Sequence, residues 1–185
     1  MNSPLTILGI AGSLRQGSYN RMALRAAQQL VPANAKIEIF DLQAIPLFNQ
    51  DEEKTPPAAV TEFKKRIRAA DAILIATPEY NYGIPGVLKN AIDWASRPYG
   101  DNAWNDKPVA LMGASPGLLG TARAQLLTRH LLTYLNMHTV NQPEVMIAKA
   151  HEKFDANGNL TDETGKKLIQ QLLQNLVDWT RRLAK

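Results

Sequence analysis

Hydrophobic positions along this chain fall into two alternating patterns. Short unbroken apolar runs rich in Ile, Leu, Val and Ala are separated by longer stretches in which apolar residues recur every three or four positions. Leu5 to Ile10 is the first run and reads as a strand buried on both faces. Asn20 to Leu30 follows with Met22, Ala23, Ala26, Ala27 and Leu30 at helical spacing, closed by Pro32 and Asn34. Ile37 to Phe40 predicts a second strand. Beyond a loop punctuated by Pro46, Pro56 and Pro57, Ala58 to Ala70 predicts a helix with Val60, Phe63 and Ile67 as its apolar stripe.

Asp71 to Thr77 is the strongest strand signal in the chain. A helix from about Gly86 to Trp94, a fourth strand over Val109 to Gly113, and a helix over Thr121 to Asn136 with Leu127, Leu131 and Leu135 on one face come next. A fifth short strand lies between His138 and Ile147, interrupted near Pro143, and Asp162 opens a terminal helix to about Leu183. Its apolar positions are Leu168, Ile169, Leu172, Leu173, Leu176 and Val177. Parallel strands need crossover helices, so this alternation predicts an α/β fold with a five-stranded parallel sheet wound on both faces. Ligands in such sheets bind at the carboxyl ends of the strands, near a topological switch point. The loops after strands one, three and four are therefore the ones to examine.

Composition narrows the chemistry. The 185 residues suit a single domain over 1–185, and a chain 45% hydrophobic and 21% charged can bury an ordinary core. Zero cysteines exclude disulfides, thiolate metal sites and a Cys nucleophile, and fit a reducing compartment. Met1 to Pro4 lacks a basic leader, and no run approaches the ~20 apolar residues of a membrane span, so a cytoplasmic protein with no membrane partner is expected. The net charge of +4 comes from scattered residues. Its one cluster, Lys64, Lys65, Arg66 and Arg68, reads as a solvated helix face, so no nucleic-acid partner is expected. A modest positive field suits anionic small molecules.

The loop after strand one, Gly9 to Asn20, has the chemistry of an anion site. The hydroxyls of Ser13 and Ser18, the amide of Asn20 and free backbone N–H groups converge at a helix N-terminus, and Arg15 adds a planar cationic fork. Gly9, Gly12 and Gly17 lack Gly-x-Gly-x-x-Gly spacing, and Gly17 is followed by Ser18 rather than the lysine of a nucleoside-triphosphate loop. A capped turn with no ligand is the bland alternative.

After strand three, Thr77 to Gly86 places two prolines, two glycines, two tyrosines and an acid in one rigid loop. Backbone amides beside aromatic rings suit a flat heterocycle with polar edges. Taken with Gly12-Ser13-Leu14-Arg15 and Ser18-Tyr19-Asn20, and with Leu88 to Trp94 and the Gly113 to Gly117 turn, this loop resembles the NADPH-dependent FMN reductase family of flavodoxin-like proteins, which includes quinone, azo-dye and chromate reductases. The resemblance covers most of the chain.

It implies a flavodoxin-like three-layer sandwich with strand order 2-1-3-4-5 and one FMN per subunit. The phosphate would lie against Ser13, Arg15, Ser18, Tyr19 and Asn20, and the ring against Pro78, Glu79, Tyr80 and Asn81, with Ser115 and Gly117 on its other side. Tyr82 and Gly83 would border the substrate. A hydride would pass from NADPH or NADH to the flavin and on to a quinone, chromate or azo acceptor, with no protein nucleophile and no metal. The alternatives are a reductase that releases free reduced flavin and a one-electron carrier. The resemblance also implies a homodimer or homotetramer, with Arg123 and Glu144 candidates to pair across the interface.

Single residues keep bland readings. Glu79 could cap the helix from Gly86 or face a partner subunit, Tyr82 could pack at an interface, and Asp93 and Trp94 read as structural. Tyr99 and Trp104 could gate a flat substrate or be buried, and Arg97 and Arg15 are candidates for the NADPH 2′-phosphate. His130, His138 and His151 lack metal spacing. Asp155 to Asn159 reads as an Asn-Gly turn rather than a calcium loop. In Gly113-Ala114-Ser115-Pro116-Gly117, Pro116 removes the N–H that a hydrolase elbow needs.

Overall fold

A computed structural model describes residues 4–184, so most of the segment Met1 to Pro4, read above as lacking a basic leader, lies outside the described residues. The strands are β1 (Leu5–Ala11), β2 (Ala35–Phe40), β3 (Ala72–Ala76), β4 (Pro108–Ala114), β5 (His138–Thr139) and β6 (Val145–Ile147). Between them run α1 (Tyr19–Leu30), α2 (Ala58–Ala69), α3 (Gly86–Ala95) and α4 (Ala122–Tyr134), and α5 (Glu163–Leu183) follows. Parallel ladders join the strands in the order β2-β1-β3-β4-β5. The expected fifth strand is split around Pro143: β5 pairs with the start of β4 and β6 with its end.

The sheet has two unlike faces because side chains alternate across it. Ala11, Ala72, Leu74, Ala76, Ala110 and Met112 face α1 and α5, while Leu8, Ile10, Ile73, Ile75, Val109 and Leu111 face α2 and α3. Both faces are buried, so β3 shows no polar alternation and is apolar throughout. None of the helices among the described residues is long and apolar enough to cross a membrane.

Two sequence expectations fail here for physical reasons. Lys64 is not on a solvated face: it is 4% exposed, and its ammonium donates to the Arg97 carbonyl and the Asp101 carboxylate. Arg68 meets the same carboxylate and Arg66 meets Glu38, so the basic run fastens α2 to its neighbours. In α4, the inward positions are Ala124, Gln125, Thr128 and Leu132, with Gln125 donating to the Val145 carbonyl at 3.0 Å and Thr128 to the Ala124 carbonyl at 2.7 Å. Leu126 and Leu127 are exposed instead. Small and hydrogen-bonding side chains let α4 lie close to the sheet edge, which an all-apolar stripe search does not detect.

Candidate active site

The carboxyl ends of β1, β3 and β4 carry three loops that meet at one edge of the sheet. The Gly12 N–H donates to the Ala76 carbonyl at 2.9 Å and the Thr77 N–H to the Met112 carbonyl at 3.0 Å, which sets the loops side by side.

In the first loop Ser18 is the N-cap of α1, its hydroxyl oxygen accepting from the N–H groups of Asn20 and Arg21. Among the described residues, the N–H groups of Ser13, Leu14, Gln16, Gly17 and Tyr19 have no acceptor, and the first turn of α1 holds no acid. Five such donors at the positive end of a helix dipole form an anion-accepting nest. Arg15 folds back so that its guanidinium donates to the Gly17 carbonyl and lies 5.6 Å from the Tyr19 ring centroid. Tyr19 in turn packs 5.6 Å from Phe154. Arg21 braces the loop from outside, its Nε donating to the Ser13 carbonyl at 3.2 Å while its guanidinium grips Asp41 with bonds of 2.6 and 2.7 Å.

Asn20 is not the free amide ligand that the sequence suggested. It is 2% exposed; its Oδ1 accepts the Ala114 N–H at 2.9 Å and its Nδ2 donates to the Ala114 carbonyl at 2.9 Å. One Nδ2 hydrogen is left over for a ligand. The residue is first of all a strut between α1 and the end of β4.

In the second of these loops the Tyr80 and Gly83 backbones exchange hydrogen bonds of 3.2 and 2.9 Å, with Asn81 and Tyr82 between them at φ of 51° and 65°. The N–H groups of Glu79, Asn81 and Tyr82 have no acceptor among the described residues. Tyr80 Oη stands 3.4 Å from Ser13 Oγ, which ties this turn to the first loop. Glu79 does not cap α3. Its Oε2 accepts from the N–H groups of Arg123 and Ala124 at 2.9 and 3.2 Å, and its Oε1 pairs with the Arg123 guanidinium at 2.8 Å. Within the chain, then, Arg123 pairs with Glu79, while Glu144 lends its charge to Arg129.

Burial of Glu79 would raise its pKa, but bonds from the Arg123 side chain and from the first-turn N–H groups of α4 outweigh it and hold the carboxyl below the ordinary glutamate range. A depressed pKa means that this contact stabilises the fold above the unfolded-state value and is lost as pH falls through the lower, folded-state value. Glu79→Gln is accordingly expected to be less stable than the parent at neutral pH, with the gap closing below about pH 4. Urea denaturation across a pH series checks this, and a gap that persists unchanged in acid would contradict it.

The loop after β4 is tied to a segment that sequence reasoning left out. Ser115 N–H donates to the Ile147 carbonyl, Lys149 N–H to the Gly117 carbonyl at 3.1 Å, and Ala150 N–H to the Ser115 carbonyl at 3.0 Å. Ser115 Oγ donates to the Gly120 carbonyl, so it braces its own loop. Lys149 has φ of 48°, and no local sequence pattern announces a lysine in that conformation.

Several earlier candidates lie elsewhere. From Gly86 at this edge, α3 runs ten residues, or about 15 Å, before Arg97 and Tyr99 appear beyond its far end. Arg97 stacks on Tyr99 there, 4.1 Å from the ring centroid, away from the three loops of this chain. Trp104 is buried with its indole N–H on the Ile92 carbonyl, and Trp94 likewise reaches the Pro46 carbonyl. Asp93 pairs with Lys89 on the surface of α3. Asp155 accepts the N–H groups of Asn157 and Asn159, making a turn. No group of three or more metal-ligating side chains occurs among the described residues.

Comparison with known proteins identifies the family. The family model for NADPH-dependent FMN reductase matches residues 5–152. The chain is 53% identical over 184 residues to an NAD(P)H-dependent FMN reductase of Pseudomonas aeruginosa, covering 99% of each. It is 41% identical over 177 residues to a 2-hydroxy-1,4-benzoquinone reductase of a Burkholderia species, covering 96% of this chain and 97% of the other. Among solved structures, the flavoenzyme NAD(P)H:(acceptor) oxidoreductase FerB of Paracoccus denitrificans superposes with a TM-score of 0.88 at 37% identity, over 96% of this chain and 98% of that one. The chain belongs to the NADPH-dependent FMN reductase family and is an NAD(P)H-dependent flavin oxidoreductase with a flavodoxin-like fold.

Proposed function

We propose that this enzyme reduces quinones and similar flat, electron-poor small molecules with electrons from NAD(P)H, using the whole chain, residues 1–185, as one FMN-binding domain. The observation that carries the reading is the set of donors without acceptors: five in the first loop and those of Glu79, Asn81 and Tyr82 across from them. A dianionic phosphate fits the first set, and the N5 and O4 edge of a flavin ring fits the second. FMN, when bound, supplies the redox chemistry by taking a hydride from the nicotinamide and passing the electrons to the acceptor.

The chain's own residues then have positional tasks. Ser13, Ser18 and the N–H groups of the first loop hold the phosphate, with the spare Nδ2 hydrogen of Asn20. Arg15 turns from the Gly17 carbonyl to cover the phosphate, and Tyr19 walls the site. Pro78, Glu79, Tyr80 and Asn81 present their backbone to the ring, and Ser115 and Gly117 bound its other side. Tyr82 and Gly83, at the exposed tip of the turn, border the incoming nicotinamide or acceptor. The exposed leucines of α4 together with α3 are the proposed interface of a homodimer or homotetramer. A cysteine-free chain is consistent with a cytoplasmic enzyme.

The test is an absorbance spectrum of the purified protein before and after anaerobic NADPH, followed by a benzoquinone. Stoichiometric flavin that bleaches promptly and is reoxidised by the quinone is the expected result. Flavin that stays oxidised points to an electron carrier. A colourless protein that also fails to take up added FMN overturns the reading.

A further inference from the structure

Tyr82 adopts a backbone conformation that is costly for it. Its φ of 65° follows the 51° of Asn81, the paired left-handed residues of a two-residue hairpin turn. Asn enters this region readily, whereas a bulky aromatic residue there is a genuine outlier. Such residues persist only where their surroundings over-determine them, and they cluster at functional sites.

What fixes Tyr82 is Arg123. The guanidinium carbon lies 3.7 Å from the Tyr82 ring centroid, and the same guanidinium is held 2.8 Å from Glu79 Oε1. The other oxygen of Glu79 binds the first turn of α4. Glu79 immediately precedes the Tyr80–Gly83 turn and Tyr82 lies within it, so a single arginine contacts both the entry and the tip of the turn while the helix anchors it. The Glu79 side chain is only 11% exposed, which limits competition from water for the ion pair. Arg123 itself donates nothing to the first loop, so its influence there passes through the turn.

We propose that Arg123 is a positioning residue for the flavin ring: stacked on Tyr82 and anchored by Glu79, it holds the Tyr80–Gly83 turn left-handed so that the N–H groups of Asn81 and Tyr82 stay free for the ring. The proposal rests on the reading that the ring lies against this loop. It makes a specific demand, because glycine adopts a positive φ without strain. In a Tyr82→Gly background the turn keeps its shape unaided, and Arg123 becomes dispensable.

The experiment is a double-mutant cycle on the full chain, stripped of flavin and titrated with FMN, reading the quenching of FMN fluorescence and the visible circular dichroism of the bound ring. In the parent, Arg123→Ala is expected to weaken FMN binding about tenfold and to alter the dichroism; in the Tyr82→Gly background the same change is expected to cost less than about twofold. If Arg123→Ala fails to fold, Arg123→Lys replaces it, since its ammonium can still face Glu79 but offers the ring no planar face. Equal losses in the two backgrounds, or no loss in the parent, overturn the proposal alone. A parent protein that binds no FMN overturns it together with the flavin reading.

Discussion

Gly113→Ala is expected to lower the melting temperature by roughly 6–12 °C, corresponding to about 3 kcal/mol in a chain of this size. Gly113 lies near the end of β4 on the face that meets the start of α4. A β-carbon there would overlap the Thr121 hydroxyl and the Thr77 carbonyl oxygen and stand 2.9 Å from Thr121 Cβ. Thr77 cannot yield easily, because its N–H is bonded to the Met112 carbonyl and it sits where β3 enters the Tyr80–Gly83 loop. Thr121 is fully buried and accepts from Gln125 Nε2 at 3.0 Å. Relief would therefore have to come from separating β3 from α4, which also moves Glu79 away from the N–H groups it caps. Gly86→Ala is the matching control. A β-carbon there meets nothing within 4 Å, and the position opens α3, where alanine is the better helix former by up to about 1 kcal/mol. Thermal melts of the two variants decide the matter, and a Gly113→Ala protein that melts within about 2 °C of the parent would show that the crowding is relieved at little cost.

The same contrast explains how much of this molecule is legible from its residues alone. The sheet is readable because strands buried on both faces must be apolar throughout: Ile73, Leu74 and Ile75 announce themselves without reference to anything else in the chain. The stripes of α2 and α5 are readable for the related reason that a helix against a sheet buries one face, so Val60, Phe63 and Ile67 stand out, as do Ile169, Leu172 and Leu176. The loops that hold the candidate site were found by composition and position, since donors and rigid residues at the carboxyl ends of strands have few other uses.

What could not be read are the partners. Asn20 and Ala114 are 94 positions apart, Glu79 and Arg123 are 44 apart, and Lys64 and Asp101 are 37 apart. No local spacing encodes any of these pairs, because each is made by packing two elements that meet only in the finished fold. A serine, an asparagine and an arginine in one loop suggest three ligands. Only the fold reveals that one of them spends most of its hydrogen bonds on the neighbouring strand. Similarly, α4 looks like an ordinary amphipathic helix until Gln125 and Thr128 are seen facing inward and Leu126 and Leu127 outward.

Asn20→Asp is the substitution that separates the strut from the ligand, and it is expected to be the most damaging single-atom change in the site. The carboxylate can still accept the Ala114 N–H, but it has nothing to donate to the Ala114 carbonyl, which is left buried without its partner at a cost of about 1–3 kcal/mol. It also puts a negative charge in a position 2% exposed, at the foot of the loop proposed to hold a phosphate. Burial and the facing carbonyl raise the pKa of the introduced acid in the folded state, so the neutral form is favoured there. The sign of the pH dependence follows. Below the unfolded-state value of about 3.9 both states are protonated, the acid's O–H can replace the lost amide donor, and the penalty is small. As pH rises through the elevated folded-state value, the penalty grows to its full size. FMN affinity is expected to follow the same course, reduced at least about tenfold at pH 7 and partly restored near pH 5. Asn20→Ala removes both bonds without adding charge, so it should cost stability at every pH and show no such recovery. Denaturation and FMN titration of both variants between about pH 4 and 8 distinguish the outcomes. If the two variants behave alike across that range, the buried charge is not what matters, and the work of Asn20 is confined to joining α1 to β4.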